Sequence, residues 1–229
     1  MPDLLISVYC VLCLAHFILF LLELQIVYTV LIVHAALQWV NREIAGLCTS
    51  ADTNHISTFL SPWKLREKFC DYRHSYMSIL KLARQKNRNE GPMLLLIFFH
   101  TCLLLVISGR HFIYYMNIPV DTPFRTLMVY GQIVLFVSHI FKLFIIIDPC
   151  HRTQQEVEET KKILGHLMTN STCHSFVIEL KMFCRQLLHQ SPLYSPLNIC
   201  PLERPLLTTV IVFVMTILVS IAEMSDEME

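Results

Sequence analysis

Four side chains near the carboxy-terminal end carry the chemistry that stands out. Thr209, Thr216, Ser220 and Glu223 follow one another at intervals of seven, four and three residues. At roughly 3.6 residues per turn, that spacing puts three hydroxyls and a carboxylate on one helix face, while Val212, Val214, Leu218 and Ile221 cover much of the rest. They lie in an apolar stretch, 206–224, long enough to cross a bilayer. Ionisable groups at membrane depth are costly and turn toward protein or water, not acyl chains. The helix is therefore expected to pack its polar face on a partner or to line an aqueous path. The plainer account of Thr and Ser is bonding back to their own helix or gluing helices together.

Other reactive residue types form no comparable constellation. Nine cysteines include Cys10 and Cys13, a CxxC inside an apolar span, read as small buried hydrophobes. Cys150-His151 and Cys173-His174 lack zinc spacing. Of eleven histidines, His16, His34, His100 and His139 fall in or near apolar spans. Hydrogen bonding between helices is the plain expectation for them, a functional role the sharper one. No GxSxG, P-loop or GxGxxG occurs, and five glycines leave no material for a phosphate-cradling loop. No catalytic residue, metal site or cofactor is expected, and the chain does not read as an enzyme. His111, Tyr114, Tyr115, Tyr130 and Gln132 lie near the outer ends of two spans and are candidates for a ligand pocket. Aromatic anchoring at the membrane interface is their alternative role.

The elements that must position these groups follow from hydropathy. The chain has 229 residues, 54% of them hydrophobic, with mean hydropathy +0.52, which fits a membrane protein rather than a soluble domain. Net charge is zero, which gives no reason to invoke a nucleic acid. Four spans are predicted at 4–26, 93–116, 125–147 and 205–224. The first continues as a helix to about 47, past Glu23 and Gln25, which interrupt its apolar pattern. Gly91-Pro92 reads as the start of the second span, and 117–124, with Asn117, Pro119, Asp121 and Pro123, as a short turn.

Lys and Arg set the orientation. Segment 41–91 carries nine and segment 149–204 carries six. The connection between the second and third spans holds only Arg110 and Arg125, and the ends beyond the outer spans hold none. Both long segments, 48–91 and 149–204, are therefore expected in the cytoplasm and both termini outside. The formal glycosylation sequon Asn170-Ser171-Thr172 would then stay unmodified. Within the long segments, 64–85, 155–168 and 174–189 space their apolar residues by three and four, as helices do. Their mixed charge favours helices that extend the spans over helices lying on the membrane surface.

The run Glu179-Leu180-Lys181-Met182-Phe183-Cys184-Arg185-Gln186-Leu187-Leu188-His189 resembles the segment before the last helix of insect gustatory receptors. Pro201-Leu202-Glu203-Arg204 is similar to the approach to that helix, with Asn198 where the family has glycine. Those receptors end in TYxxxxxQF. Here the register is kept as Thr216-Ile217, five residues, then Glu223-Met224. Trp39-Val40-Asn41, His74 and Asn87 resemble the family's fourth and fifth helices.

The resemblance implies an all-α integral membrane protein with four transmembrane helices and helical cytoplasmic extensions, matching the last four of seven helices. The chain is then expected to be a carboxy-terminal half, natural or from an incomplete gene. The resemblance also implies a taste-receptor-like subunit of a ligand-gated, non-selective cation channel in the plasma membrane. Four copies, alike or mixed, would surround the path, with Glu223 and Met224 at the gate position and a small tastant as ligand. The rival reading is a non-conducting partner that joins full-length receptors.

Overall fold

The computed structural model describes residues 2–52, 62–117, 123–171, 174–188, 193–196, 199 and 201–226. Most of the turn expected over 117–124 lies outside them, as do Thr172 of the sequon, Cys173, His189 and Asn198. The described residues form five helices and no strand: α1 Pro2–Asp52, α2 Pro62–Asn117, α3 Pro123–Asn170, α4 His174–Leu188 and α5 Arg204–Asp226. α2 and α3 begin at proline, whose missing N–H costs nothing in a first helical turn. Four helices, α1, α2, α3 and α5, are long and apolar enough to cross a membrane. The protein is an all-α multi-pass membrane protein.

Two prolines lie inside helices, Pro92 in α2 and Pro149 in α3. The helix start expected at Gly91-Pro92 is therefore an interior position of a longer helix. A proline there forgoes one backbone hydrogen bond and crowds the preceding turn. Continuous apolar packing on both sides, with Leu80, Ala83, Leu94 and Ile97 all buried, outweighs that local preference.

The chain folds as two compact units, and α1, α2 and α3 each contribute to both. One comprises 1–27, 92–148 and 202–229; the other comprises 28–91 and 149–201. Each unit has its own core.

In the first unit, Phe98 and Leu105 of α2, Leu143 and Ile147 of α3, and Val210, Val214 and Leu218 of α5 form the core. Outside it the unit is apolar again, with Phe17, Phe99, Leu103, Val134, Phe141 and Phe213 exposed. Such a surface suits acyl chains, where helices gain nothing from the hydrophobic effect and cohere by close packing. Gly109 of α2 supplies that closeness: a Cβ built on it would stand 2.5 Å from Leu218 Cδ1 of α5. Two ion pairs tie elements of this unit together. Lys142 Nζ of α3 lies 3.6 Å from Glu23 Oε2 of α1. Arg204, the first residue of α5, donates from Nη2 to Asp148 Oδ1 of α3 at 2.7 Å and from Nε to the same oxygen at 3.1 Å.

The second unit mixes apolar and charged packing. Phe69 of α2 meets Phe176 and Phe183 of α4 edge to face, at 5.2 and 6.0 Å between centroids, and Tyr76 meets Phe183 at 5.4 Å. α4 belongs here because Phe176, Leu180, Phe183 and Leu187 recur by four, three and four, which gives it one buried face. Beside them, buried Asn41 of α1 donates to Glu156 Oε2 and Glu156 O of α3. Thr160 of α3 donates to Asn41 Oδ1 at 2.7 Å, and its hydroxyl also meets that of Tyr76 at 2.8 Å. The result is a buried polar network across three helices whose members satisfy one another, as low-dielectric surroundings demand.

Candidate functional site

α5 presents two different faces besides its buried one. Thr209, Thr216, Ser220 and Glu223 are all exposed along one of them. Thr209 donates to Pro205 O at 3.0 Å, Thr216 to Val212 O at 2.9 Å and Ser220 to Thr216 O at 3.1 Å. Each hydroxyl hydrogen is thus spent on the helix itself, and the oxygen lone pairs are left free to accept from outside. Met224, beside Glu223, is 56% exposed.

The second face of α5 forms one wall of a cavity of about 350 Å³. Met215, Leu218, Val219 and Ala222 line it from α5. Gly109, Phe112 and Ile113 line it from α2, and Gln132, Ile133 and Phe136 from α3. At roughly 100° per residue, the lining residues of α5 centre about 120° around the helix from the hydroxyls. One helix therefore carries both the cavity wall and the hydroxyl row. The volume falls within the range of small-molecule sites, roughly 300–1,000 Å³.

Of the five residues expected near a ligand, Gln132 lines this cavity; His111, Tyr114, Tyr115 and Tyr130 do not. His111 stacks on Tyr115 with 6.4 Å between centroids, and Tyr114 meets Tyr115 edge to face at 5.6 Å. Arg125 of α3 finishes this end of α2, donating to Tyr115 O at 3.1 Å and Met116 O at 2.6 Å, which satisfies carbonyls that a helix end leaves orphaned. Tyr130 is 65% exposed on α3. The apolar lining residues are hidden in the sequence because each fits a plain core position. Gly109 is the available signal: a glycine within an apolar span, where small residues mark close helix approach.

The spans' histidines are partly gathered. His16 of α1 lies against His100 of α2, rings 5.6 Å apart and tilted by 42°. His100 Nε2 and His139 Nδ1 are buried without a hydrogen-bond partner, as is His34 Nδ1 in the other unit. Among the described residues, no three His, Cys, Asp or Glu side chains are grouped to hold a metal ion.

Residues 2–221 match the model of the family described as 7tm Chemosensory receptor. The match covers nearly the whole chain and bears out the resemblance read from the region around α4 and α5. No curated protein matches the chain.

Proposed function

Because the chain belongs to the 7tm chemosensory receptor family, we propose that it is a gustatory-receptor-like subunit of a ligand-gated, non-selective cation channel of the plasma membrane. One observation carries the reading. α5 holds an uncovered row of hydroxyls ending in the Glu223 carboxylate on one face, and the wall of a ligand-sized cavity on another. An exposed carboxylate on a helix able to cross a membrane favours a polar neighbour, and the hydroxyls beside it, although bonded back to their own helix, can still accept from one. Four copies facing inward would provide it, with Thr209, Thr216 and Ser220 along the path and Glu223 and Met224 at its outer end. Both termini then lie outside and the charged segments inside, as the Lys and Arg distribution favours.

Gating follows from geometry shared by one helix. A ligand in the cavity touches Met215, Leu218 and Val219, so it acts on the same rigid element that carries the hydroxyl row. It shifts the equilibrium only by binding one placement of α5 better than another.

The test is electrophysiological. Expressed alone, the chain carries a ligand-evoked cation current. Glu223→Gln lowers the calcium-to-sodium permeability ratio about twofold or more while leaving assembly intact. Unchanged selectivity would remove Glu223 from the path. Current that appears only with a second receptor subunit would make the chain a partner rather than a complete channel.

A further inference from the structure

We propose that the cavity among α2, α3 and α5 selects an apolar molecule of about 9–15 non-hydrogen atoms bearing one hydrogen-bonding group, such as an alcohol, aldehyde or ketone, and rejects sugars and other polyols. The inference rests on reading this cavity as the ligand site and names the class of ligand it takes.

Size comes first. An apolar cavity of about 150 Å³ holds benzene. A cavity of about 350 Å³ scales to roughly twice that many heavy atoms or a little more. The lining supplies the chemistry. Phe112 and Phe136 offer ring surface, Ile133 and Val219 branched aliphatic surface, and Met215 a thioether side chain that adapts to irregular shapes. Gln132 is the one lining residue with a polar side chain. Gln132 turns mainly its carbon stem to the cavity, and so little of its amide reaches it that a single hydroxyl or carbonyl group is the most it can serve. A sugar would carry several further hydroxyls into the cavity. Each would give up its bonds to water and find no partner there, which costs affinity at every position. A mainly apolar ligand gives up far fewer such bonds on entry.

A phospholipid acyl chain shares the apolar part of this chemistry. The experiment separates the two sources. The full chain, purified into nanodiscs, binds the fluorescent probe 1-aminoanthracene, and competitors displace it. We expect 2-phenylethanol to displace the probe at concentrations tenfold or more below any effect of sucrose. Val219→Phe fills the cavity and abolishes displaceable binding, with Ala222→Leu as a second filling variant and gel-filtration elution confirming that both fold. Gln132→Leu lowers the preference for 2-phenylethanol over ethylbenzene about fivefold, the worth of one neutral hydrogen bond.

Displacement by sucrose at concentrations equal to 2-phenylethanol overturns the ligand class, as does an unchanged preference in Gln132→Leu. So does native mass spectrometry showing a phospholipid held by the unaltered chain and lost from Val219→Phe. Binding as expected, but without any current from 2-phenylethanol either alone or with a second receptor subunit, leaves the ligand class standing and removes the channel reading. A sucrose-evoked current that leaves the probe in place does the reverse.

Discussion

Glu179 is where two segments of the second unit are bound by charge. Its carboxylate accepts from Arg66 at 3.0 Å and from Arg73 at 2.8 Å, one arginine on each oxygen. The side chain is 11% exposed, Arg73 27% and Arg66 51%, so Arg73 is the better-shielded partner. Glu179→Ala leaves Arg73 without its counter-charge in a half-buried place. We expect a loss of about 1–3 kcal/mol, below the value for fully buried pairs because Arg66 reaches solvent. Thermal melting of the detergent-solubilised chain measures it, with Arg66→Ala costing less than Arg73→Ala.

Tyr76 gives a second residue-scale prediction. Burial pushes its phenol well above the ordinary tyrosine value, with Glu156 and Glu158 adding to the effect and the Thr160 hydrogen bond opposing it. The folded pKa is raised, so the stabilising contribution is complete below the unfolded value of about 10 and is lost as pH rises through the folded one. Tyr76→Phe is expected to flatten the fall in melting temperature above about pH 10. At neutral pH it costs about 1 kcal/mol for the lost bond to Thr160. An alkaline slope that survives the substitution would assign it to other tyrosines, beginning with buried Tyr194.

At the scale of elements, α2 and α5 meet through Gly109 and Leu218. The atom nearest to a methyl added at position 109 would be the tip of a flexible leucine, so Gly109→Ala turns Leu218 to another rotamer and costs about 1 kcal/mol. In a Leu218→Ala background the same change should be close to neutral. A double-mutant cycle on melting temperatures in nanodiscs reads the coupling, and additivity would mean that the two residues do not meet. Much of this level is readable from sequence. Phe176, Leu180, Phe183 and Leu187 announce the buried face of α4 by spacing alone, and the apolar spans announce the membrane helices. What stays hidden depends on partners distant in the chain. Glu23 reads as an interruption of an apolar pattern until Lys142 is found beside it. Gly91-Pro92 reads as a boundary because local rules do not see the packing that carries α2 through it. Among the residues lining the cavity, Gln132 is legible for its polarity; Phe112, Phe136 and Met215 are not, since apolar residues of one cavity look like those of any core.

For the whole molecule, the uncovered hydroxyl row makes assembly the decisive observable. In the proposed ring of α5 helices, the Glu223 carboxylates and the free lone pairs of Thr209, Thr216 and Ser220 would face water together. Native mass measurement in mild detergent is expected to show four chains, alike or mixed with other receptor subunits. A chain that stays single under conditions where it carries current would overturn the ring.

The charged knot between Arg204 and Asp148 fixes the foot of α5. A rod pivoting on that foot multiplies motion along its length. At about 1.5 Å of rise per residue, Leu218 stands roughly 21 Å from Arg204 and Glu223 roughly 28 Å, so a nudge given at the leucine arrives at the carboxylate about 1.4 times larger. In the proposed channel, loosening that fulcrum with Arg204→Gln is expected to turn the swing into a slide, so that ligand-evoked current shrinks even where ligand binding is unchanged.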